Sequence, residues 1–166
     1  MKKNISLKTL ITSILIIYIP FHLTEEAMGN FHLWMADFYQ LSQPISFKHW
    51  LINNGIFLLV LASGYFIYRK NSDKYLPFGI GILIWGFMNS LEHFTGSIIS
   101  GALIPGFWTA VLFFACSVLA FIKIHKEKIV RRKKIIQSII AGIVYWIIAL
   151  NLIVLIGKTL LRLFPA

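Results

Sequence analysis

Residues 76–98 read LPFGIGILIWGFMNSLEHFTGSI, an apolar run whose two ionisable residues, Glu92 and His93, come near its end. A helix that crosses a bilayer needs roughly 20 mainly apolar residues, and this run is long enough. Four similar runs lie at residues 5–22, 50–68, 105–124 and 135–155. The sequence therefore predicts an all-α fold, a polytopic membrane helix bundle of about five transmembrane helices that forms one integral membrane domain over residues 1–166.

The composition excludes an ordinary soluble protein. Apolar residues make up 58% of the chain and charged residues 13%, against about 45–50% and about 25% in typical soluble domains. The net charge of +10 would suggest nucleic-acid binding in a soluble chain, but a mean hydropathy of +0.77 is too high for a solvated basic protein. We therefore expect no nucleic-acid partner. The single cysteine, Cys116, excludes an intrachain disulfide.

The basic residues predict the orientation of the chain in the membrane. Cytoplasmic loops of membrane proteins carry an excess of Lys and Arg, and here most of the basic residues fall on one side of the predicted spans. That side carries Lys2, Lys3, Lys8, Arg69, Lys70, Lys74 and all seven basic residues of 123–134, and the other side has only Lys48, Lys158 and Arg162. The sequence thus predicts a multi-pass cell-membrane protein with its N-terminus in the cytoplasm and its C-terminus outside.

The segment at residues 24–48 is too polar to span a membrane and too aromatic for a free loop. It contains Phe31, Trp34, Met35, Phe38 and Tyr39. Aromatic and apolar side chains on one face are typical of helices that lie in the membrane interface. We therefore expect an interfacial helix after the first span.

Acidic residues are scarce, and half of them occur beside histidines in two clusters. Ionisable groups inside a membrane are costly, so their presence there usually indicates a functional site. His22, Glu25 and Glu26 have i, i+3, i+4 spacing at the end of the first span, and Asn89, Glu92 and His93 repeat that spacing in the third. Residues at these spacings share one face of a helix. Pro20 lacks an N–H, so we expect a kink or a freed carbonyl just before the first cluster.

Both clusters are predicted to lie at the same depth. His22 and His93 are equally far into spans that run in the same direction, roughly 25 Å from the cytoplasmic edge at about 1.5 Å per residue. The polar residues Asn53, Asn54, Thr109 and Asn151 fall near this level on the other spans. A shared polar site in the outer part of the bilayer is the simplest explanation.

The donor atoms of this site favour a divalent metal. Helices that each supply His and Glu at fixed spacing hold metals in helix bundles, and imidazole with carboxylate suits zinc, iron or manganese. Glu25 or Glu26 would act as general base and Asn89 would stabilise an oxyanion. We expect metal-dependent hydrolysis or group transfer that acts on a lipid or an amphiphile. We also expect the chain to contact membrane lipids. The candidate ligands are His22, Glu26, Glu92 and His93.

Two other functions fit the same residues. In a proton- or cation-coupled transporter or channel, Glu25, Glu26 and Glu92 would relay protons or bind the ion. The inner half of the spans argues against a continuous pathway, because its few polar residues include Ser63 and Ser117, which are small enough to bond to their own helices. In a non-enzymatic accessory protein, the His–Glu pairs would be structural.

The basic run at residues 123–134 has two possible roles. It sets the topology of the chain in the membrane, or it contacts anionic lipids.

The first cluster, His22-Leu-Thr-Glu25-Glu26, resembles the motif of the HXXEE family of integral membrane proteins, which is functionally uncharacterised. Two further elements are similar to that family: Asn89-x-x-x-His93, and Pro105-Gly106 at the opening of the fourth span with Thr109 close behind. Leu103 stands where the family has an aromatic residue. The resemblance covers about residues 5 to 120. It implies that His22, Glu25, Glu26, Asn89 and His93 form one site, whereas Glu92 is supported by helical spacing alone.

Overall fold

The computed structural model describes residues 5–41 and 45–163, with side chains as far as residue 152 apart from Leu150. Over these ranges the chain forms six helices and no strand. The all-α class predicted from the sequence is confirmed. The helices are α1 (Leu7–Met28), α2 (Phe31–Phe38), α3 (Phe47–Lys70), α4 (Leu76–Ser100), α5 (Phe107–Glu127) and α6 (Arg132–Leu163).

Three of these helices, α1, α3 and α5, are long and apolar enough to cross a membrane. This supports a membrane protein. In the described part of the chain, the helices of the predicted third and fifth spans, α4 and α6, are not among these three. The number of five spans therefore stays a prediction.

Helix α1 continues through the His-Glu motif instead of ending at His22. The Ser6 side chain caps its N-terminus by accepting from the N–H of Thr9. Residues Tyr18–His22 form one π-helical turn, in which the N–H of Leu23 bonds to the carbonyl of Tyr18. We expected a kink or a freed carbonyl here because Pro20 has no N–H to donate, and the structure has a π turn at this position. Past the turn the helix is regular, so His22 and Glu26 lie on one face.

The segment at residues 24–48 is not one helix. Its first residues belong to α1, α2 covers only Phe31–Phe38, and α3 begins at Phe47; residues 42–44 lie outside the described ranges. Helix α2 is shorter than the expected interfacial helix because the chain reverses at Asn30, which has a left-handed φ of 56°. Phe31 packs with Trp50 and Ile104. This contact fixes α2 over the end of the bundle that carries His22 and His93.

Helix α4 occupies the centre of the bundle and packs against α1, α3, α5 and α6. Its buried residues include Leu83 and Trp85, which join Ile14 of α1 and Phe113 of α5 in the main apolar core. Small residues let backbones approach closely, and a Cβ on Gly81 would lie 3.0 Å from Ala141 of α6. The central position of α4 explains why a polar residue in its second half, His93, is buried.

Candidate metal centre

His22, Glu26 and His93 meet in the interior of the bundle. The Nε2 atoms of both histidines lie 3.3 Å from Oε1 of Glu26, and the three ligand atoms are all within 4.8 Å of one another. The residues are only 1%, 4% and 1% exposed, in chain order. Helix α1 supplies two of them at i, i+4 spacing and α4 supplies the third. The two clusters predicted to lie at one depth therefore share a carboxylate.

Glu25 points away from this group and binds the N-terminus of α5. Its carboxylate accepts hydrogen bonds from the backbone N–H groups of Trp108 and Thr109, both at 2.9 Å, and from the Thr109 hydroxyl at 2.6 Å. The first turn of α5 has no acidic residue of its own. A carboxylate is stabilised there because the first N–H groups of a helix lack intrahelical partners and carry partial positive charge.

Thr109 connects Glu25 to His22 and fixes the tautomer of the imidazole. Its oxygen lies 2.7 Å from Nδ1 of His22. A hydroxyl has one proton, and its closest acceptor is Glu25 at 2.6 Å rather than the Gly106 carbonyl at 3.1 Å. The hydrogen-bond network therefore assigns the proton of His22 to Nδ1, which donates to Thr109. In a neutral imidazole this leaves the lone pair of Nε2 directed at Glu26, as in metal-binding histidines.

The ring of His93 is held by packing. Its centroid lies 4.9 Å from that of His22 in an edge-on arrangement and 5.3 Å from that of Phe31. Its Nδ1 is buried and has no hydrogen-bond partner among the described residues. Its Nε2 faces Glu26, as that of His22 does.

The spacing of these atoms fits a metal ion. Ligands at about 2.0–2.1 Å from a tetrahedral zinc are about 3.3–3.4 Å apart, and both His–Glu distances are 3.3 Å. Two histidines and one carboxylate form the protein ligand set of catalytic zinc sites and of some iron sites, which keep positions open for water or substrate. The cluster could therefore hold a metal ion.

Gly106 closes the other side of the cluster. It has a φ of 88°, and a Cβ on this residue would lie 2.5 Å from Cε1 of His93 and 3.0 Å from both Cγ of Glu26 and Cε1 of His22. Only glycine combines this backbone conformation with so close an approach. The turn before α5 is therefore part of the site.

A cavity of about 260 Å³ adjoins the cluster, and we call it the aromatic cavity. The three cluster residues form one side of it. Asn89 and Glu92 line it as well, and the side-chain oxygen of Asn89 is buried with no partner among the described residues. The aromatic lining residues are Tyr18, Phe31, Trp50, Phe57, Trp85 and Trp146.

The structure brings together most, but not all, of the residues predicted for the site. Glu92 lies outside the cluster, and its exposed side chain lines the cavity. Glu92 also lines a second pocket together with Trp34 and Phe38 of α2, which places Glu92 on the α2 side. Asn151, expected at the same level, is exposed and bonds to the Ile147 carbonyl of its own helix. His49 bonds to Ser46 and takes no part.

The sequence did not lead us to include the aromatic lining residues in the site. A signal for part of it was present, because Trp85, Asn89 and His93 follow at intervals of four and share a face of α4, as Tyr18 and His22 do on α1. Trp50 and Trp146 had no such signal. They join the cavity because α3 and α6 pack beside α4.

A family model described as "Protein of unknown function with HXXEE motif" matches residues 13–121. None of the curated proteins and none of the solved structures matches the chain. The matched range contains the cluster, Glu25, Asn89 and the turn at Gly106. With about two thirds of its length matched, the chain belongs to the HXXEE family, whose function is unknown.

Proposed function

We propose that this chain is a membrane protein that binds a divalent metal ion between His22, Glu26 and His93 and catalyses hydrolysis or group transfer on a lipid or amphiphile. The observation that carries the proposal is the approach of two Nε2 atoms to one carboxylate oxygen at 3.3 Å. Oriented lone pairs and a carboxylate repel each other at that distance unless a cation or a proton lies between them. Of the three metals expected, we favour zinc, because both His–Glu distances equal its tetrahedral ligand spacing.

The substrate would occupy the aromatic cavity. A bound metal supplies Lewis acidity and a water of lowered pKa. In hydrolysis of an ester, water adds to the carbonyl carbon, the bond to the leaving oxygen breaks, and a proton from water passes to that oxygen. Asn89 is placed on the cavity wall, where its amide can donate to the developing oxyanion.

The general base differs from the one expected from the sequence. Glu25 already accepts three hydrogen bonds at the start of α5, and Glu26 is a ligand candidate. Glu92 lines the same cavity and is exposed, so it can take a proton from water and return it to the leaving group. We therefore assign the base to Glu92 rather than to the metal ligand set.

An amphiphilic substrate is favoured by the surroundings of the site. The cavity is walled by aromatic side chains, and α1, which carries two of the three proposed ligands, is apolar enough to cross a membrane. Exposed apolar side chains flank the motif on α1, such as Ile19 and Phe21. A substrate with an apolar body and a hydrolysable polar head suits these walls.

A transporter is less well supported. Among the described side chains, the core on the far side of the cluster is apolar, with Ile11, Ile14 and Leu83 fully buried. Ser63 bonds to its own helix at the Leu59 carbonyl, as expected. Ser117 instead donates to the Leu83 carbonyl of α4, which joins two helices and leaves its hydroxyl occupied. These groups offer no stepwise route for an ion.

The metal content of the purified protein tests the proposal. We expect about one zinc per chain in the wild type after dialysis against zinc, and a loss of nearly all of it in the double variant His22→Ala, His93→Ala. His49→Ala is the matched control, because it removes a histidine outside the cluster. A wild type without stoichiometric metal would overturn the proposal and leave a proton-bridged, structural His–Glu cluster.

Glu92→Gln separates chemistry from binding. This variant should keep its zinc and lose hydrolysis of ester lipids in mixed micelles by about 10²–10⁴-fold, the usual contribution of a general base. Equal activity in the variant would remove Glu92 from the mechanism.

A flux assay tests the alternative function. Ion flux across proteoliposomes that disappears in Glu26→Gln would favour the transporter over the enzyme.

A further inference from the structure

Helices α5 and α6 diverge from the short connection that joins them. Both pack extensively on α4, but they do not pack on each other to a comparable extent. The gap between them is a groove of about 590 Å³, which we call the apolar groove. Its floor is α4 and its walls are α5 and α6. Its main lining residues are Ile80, Ile84, Phe87, Phe121, Ile135 and Ile139.

The basic side chains of the groove lie at one end. Ser138 within it donates to the Lys134 carbonyl and is satisfied. His125 and Lys128 line the end next to the connection between α5 and α6. From there the floor extends along α4 from Ile80 to Phe87, about 10 Å at 1.5 Å per residue. The groove therefore has a cationic mouth and an apolar length, the shape of a site for an amphiphile with a negative head.

The connection is strongly basic, and most of its charge is not neutralised. Residues 123–134 contain seven Lys or Arg and one acid, Glu127, which pairs with Lys123 at 2.6 Å. Lys134 donates to the Asp73 carbonyl. Six of the seven cations form no ion pair with any described residue: Lys126, Lys128, Arg131, Arg132, Lys133 and Lys134.

Helix α6 begins inside this basic segment and has no acidic residue in its first turn. The positive end of the helix dipole thus faces positive side chains, an arrangement that an anion relieves. A second copy of the chain would bring the same charge to the mouth and repel the first. The charge therefore favours an anionic lipid over a dimer contact.

We propose that the apolar groove binds one anionic glycerophospholipid, with an acyl chain along Ile84 and Ile139 and the phosphate at Lys128 and His125. Basic pockets between membrane helices bind lipid headgroups in this way. The site is separate from the metal centre. It lies on the α5–α6 side at the opposite end of α4 from His93.

Native mass spectrometry of the full chain in detergent tests this proposal, with phosphatidylglycerol and phosphatidylcholine of identical acyl chains as probes. Ile139→Trp fills the groove, and Ile140→Trp is its control; the two residues are 46% and 54% exposed on the same helix, but only Ile139 lines the groove. Lys128→Asn removes a charge at the mouth and suits its left-handed φ of 49°. Lys70→Asn is its control, because Lys70 is exposed outside the groove.

We expect one retained phosphatidylglycerol in the wild type and in both controls. Lys128→Asn should weaken its binding about fivefold, the effect of about 1 kcal/mol per basic residue. Ile139→Trp should weaken it at least as much. Equal retention of both lipids, full competition by glycerol phosphate, or a dimer that dissociates in Ile139→Trp would each overturn the proposal. Because Ile139 does not contact the cluster, zinc content should stay unchanged, which keeps this test independent of the metal centre.

Discussion

Thr109 has one hydroxyl proton, and the placement of that proton organises the candidate site. The hydroxyl donates to Glu25 at 2.6 Å and accepts from Nδ1 of His22 at 2.7 Å. Glu25 therefore orients His22 indirectly, through Thr109 of α5. Groups that orient a metal ligand in this way typically change metal affinity by about 10–100-fold when removed.

Thr109→Val tests this connection at constant shape. The variant should bind zinc about 10–100-fold more weakly, because Nδ1 of His22 loses its acceptor and the imidazole its fixed tautomer. The measurement is titration against a chromophoric zinc chelator. Thr109→Ser keeps the hydroxyl and should stay close to the wild type. If valine and serine give the same affinity, the hydroxyl does not orient His22.

Gly101 and Gly106 both have a left-handed φ, so alanine variants of the two separate backbone strain from steric contact with the cluster. A Cβ on Gly101 would meet nothing within 4 Å, whereas one on Gly106 would collide with His93. Gly101→Ala should cost about 1–2 kcal/mol of unfolding free energy from backbone strain and leave zinc binding intact. Gly106→Ala should also lose zinc. Thermal unfolding and metal analysis of both variants give the answer, and equal zinc content in the two would show that the close approach at Gly106 is unimportant.

At the scale of the helix, the π turn at Tyr18–His22 sets the direction in which α1 presents its motif. A π turn inserts one residue into the helical repeat, so it rotates everything after it by about 100° relative to a regular helix. We infer that Pro20 favours the turn, because it lacks the N–H that would bond to the Ile16 carbonyl in a regular α-helix. The rotation brings His22 to Thr109 on α5 and Glu26 to His93 on α4.

Pro20→Ala should therefore lower zinc affinity without loss of helix. An alanine N–H can bond to the Ile16 carbonyl and convert the turn to α-helix, which moves His22 and Glu26 away from their partners. We expect unchanged or higher helicity by circular dichroism and about tenfold weaker zinc binding. Pro77→Ala is the control, since Pro77 lies in the first turn of α4, where proline is tolerated. Unchanged affinity in Pro20→Ala would mean that the turn does not depend on Pro20.

For the whole molecule, the distribution of Lys and Arg predicts which ends of the helices share a side of the membrane. Most of the described basic residues lie at the start of α1, at the end of α3, just before α4, at the end of α5 and at the start of α6. The candidate metal centre and α2 lie at the other end. By the positive-inside rule, we expect the basic end to be cytoplasmic and the candidate metal centre to face the outer leaflet.

Cysteine labelling in intact cells tests this orientation. In a Cys116→Ser background, which removes the only cysteine, we expect Leu103→Cys to react with a membrane-impermeant maleimide and Lys126→Cys to react only after lysis. Leu103 is 59% exposed between α4 and α5, and Lys126 is exposed near the end of α5. The reverse pattern would invert the topology and move the metal centre to the cytoplasmic side.

The sequence by itself determined the fold class and the residues that form the candidate site. Hydrophobic runs of spanning length predict helices because the backbone must satisfy its own hydrogen bonds in an apolar medium. Helical spacing then assigns His22 with Glu26, and Asn89 with His93, to single faces. Equal distances along parallel spans predicted that the two faces would meet, and the shared Glu26 bears this out.

Only the tertiary structure decided which neighbours each side chain has, because contacts between helices depend on rotation and packing that no single helix encodes. Glu25 and Glu26 are adjacent in sequence and point about 100° apart, so one caps α5 and the other enters the cluster. Glu92 and His93 separate for the same reason. Trp50 and Trp146 reach the aromatic cavity because α3 and α6 pack against a central α4, and the apolar groove exists because α5 and α6 diverge.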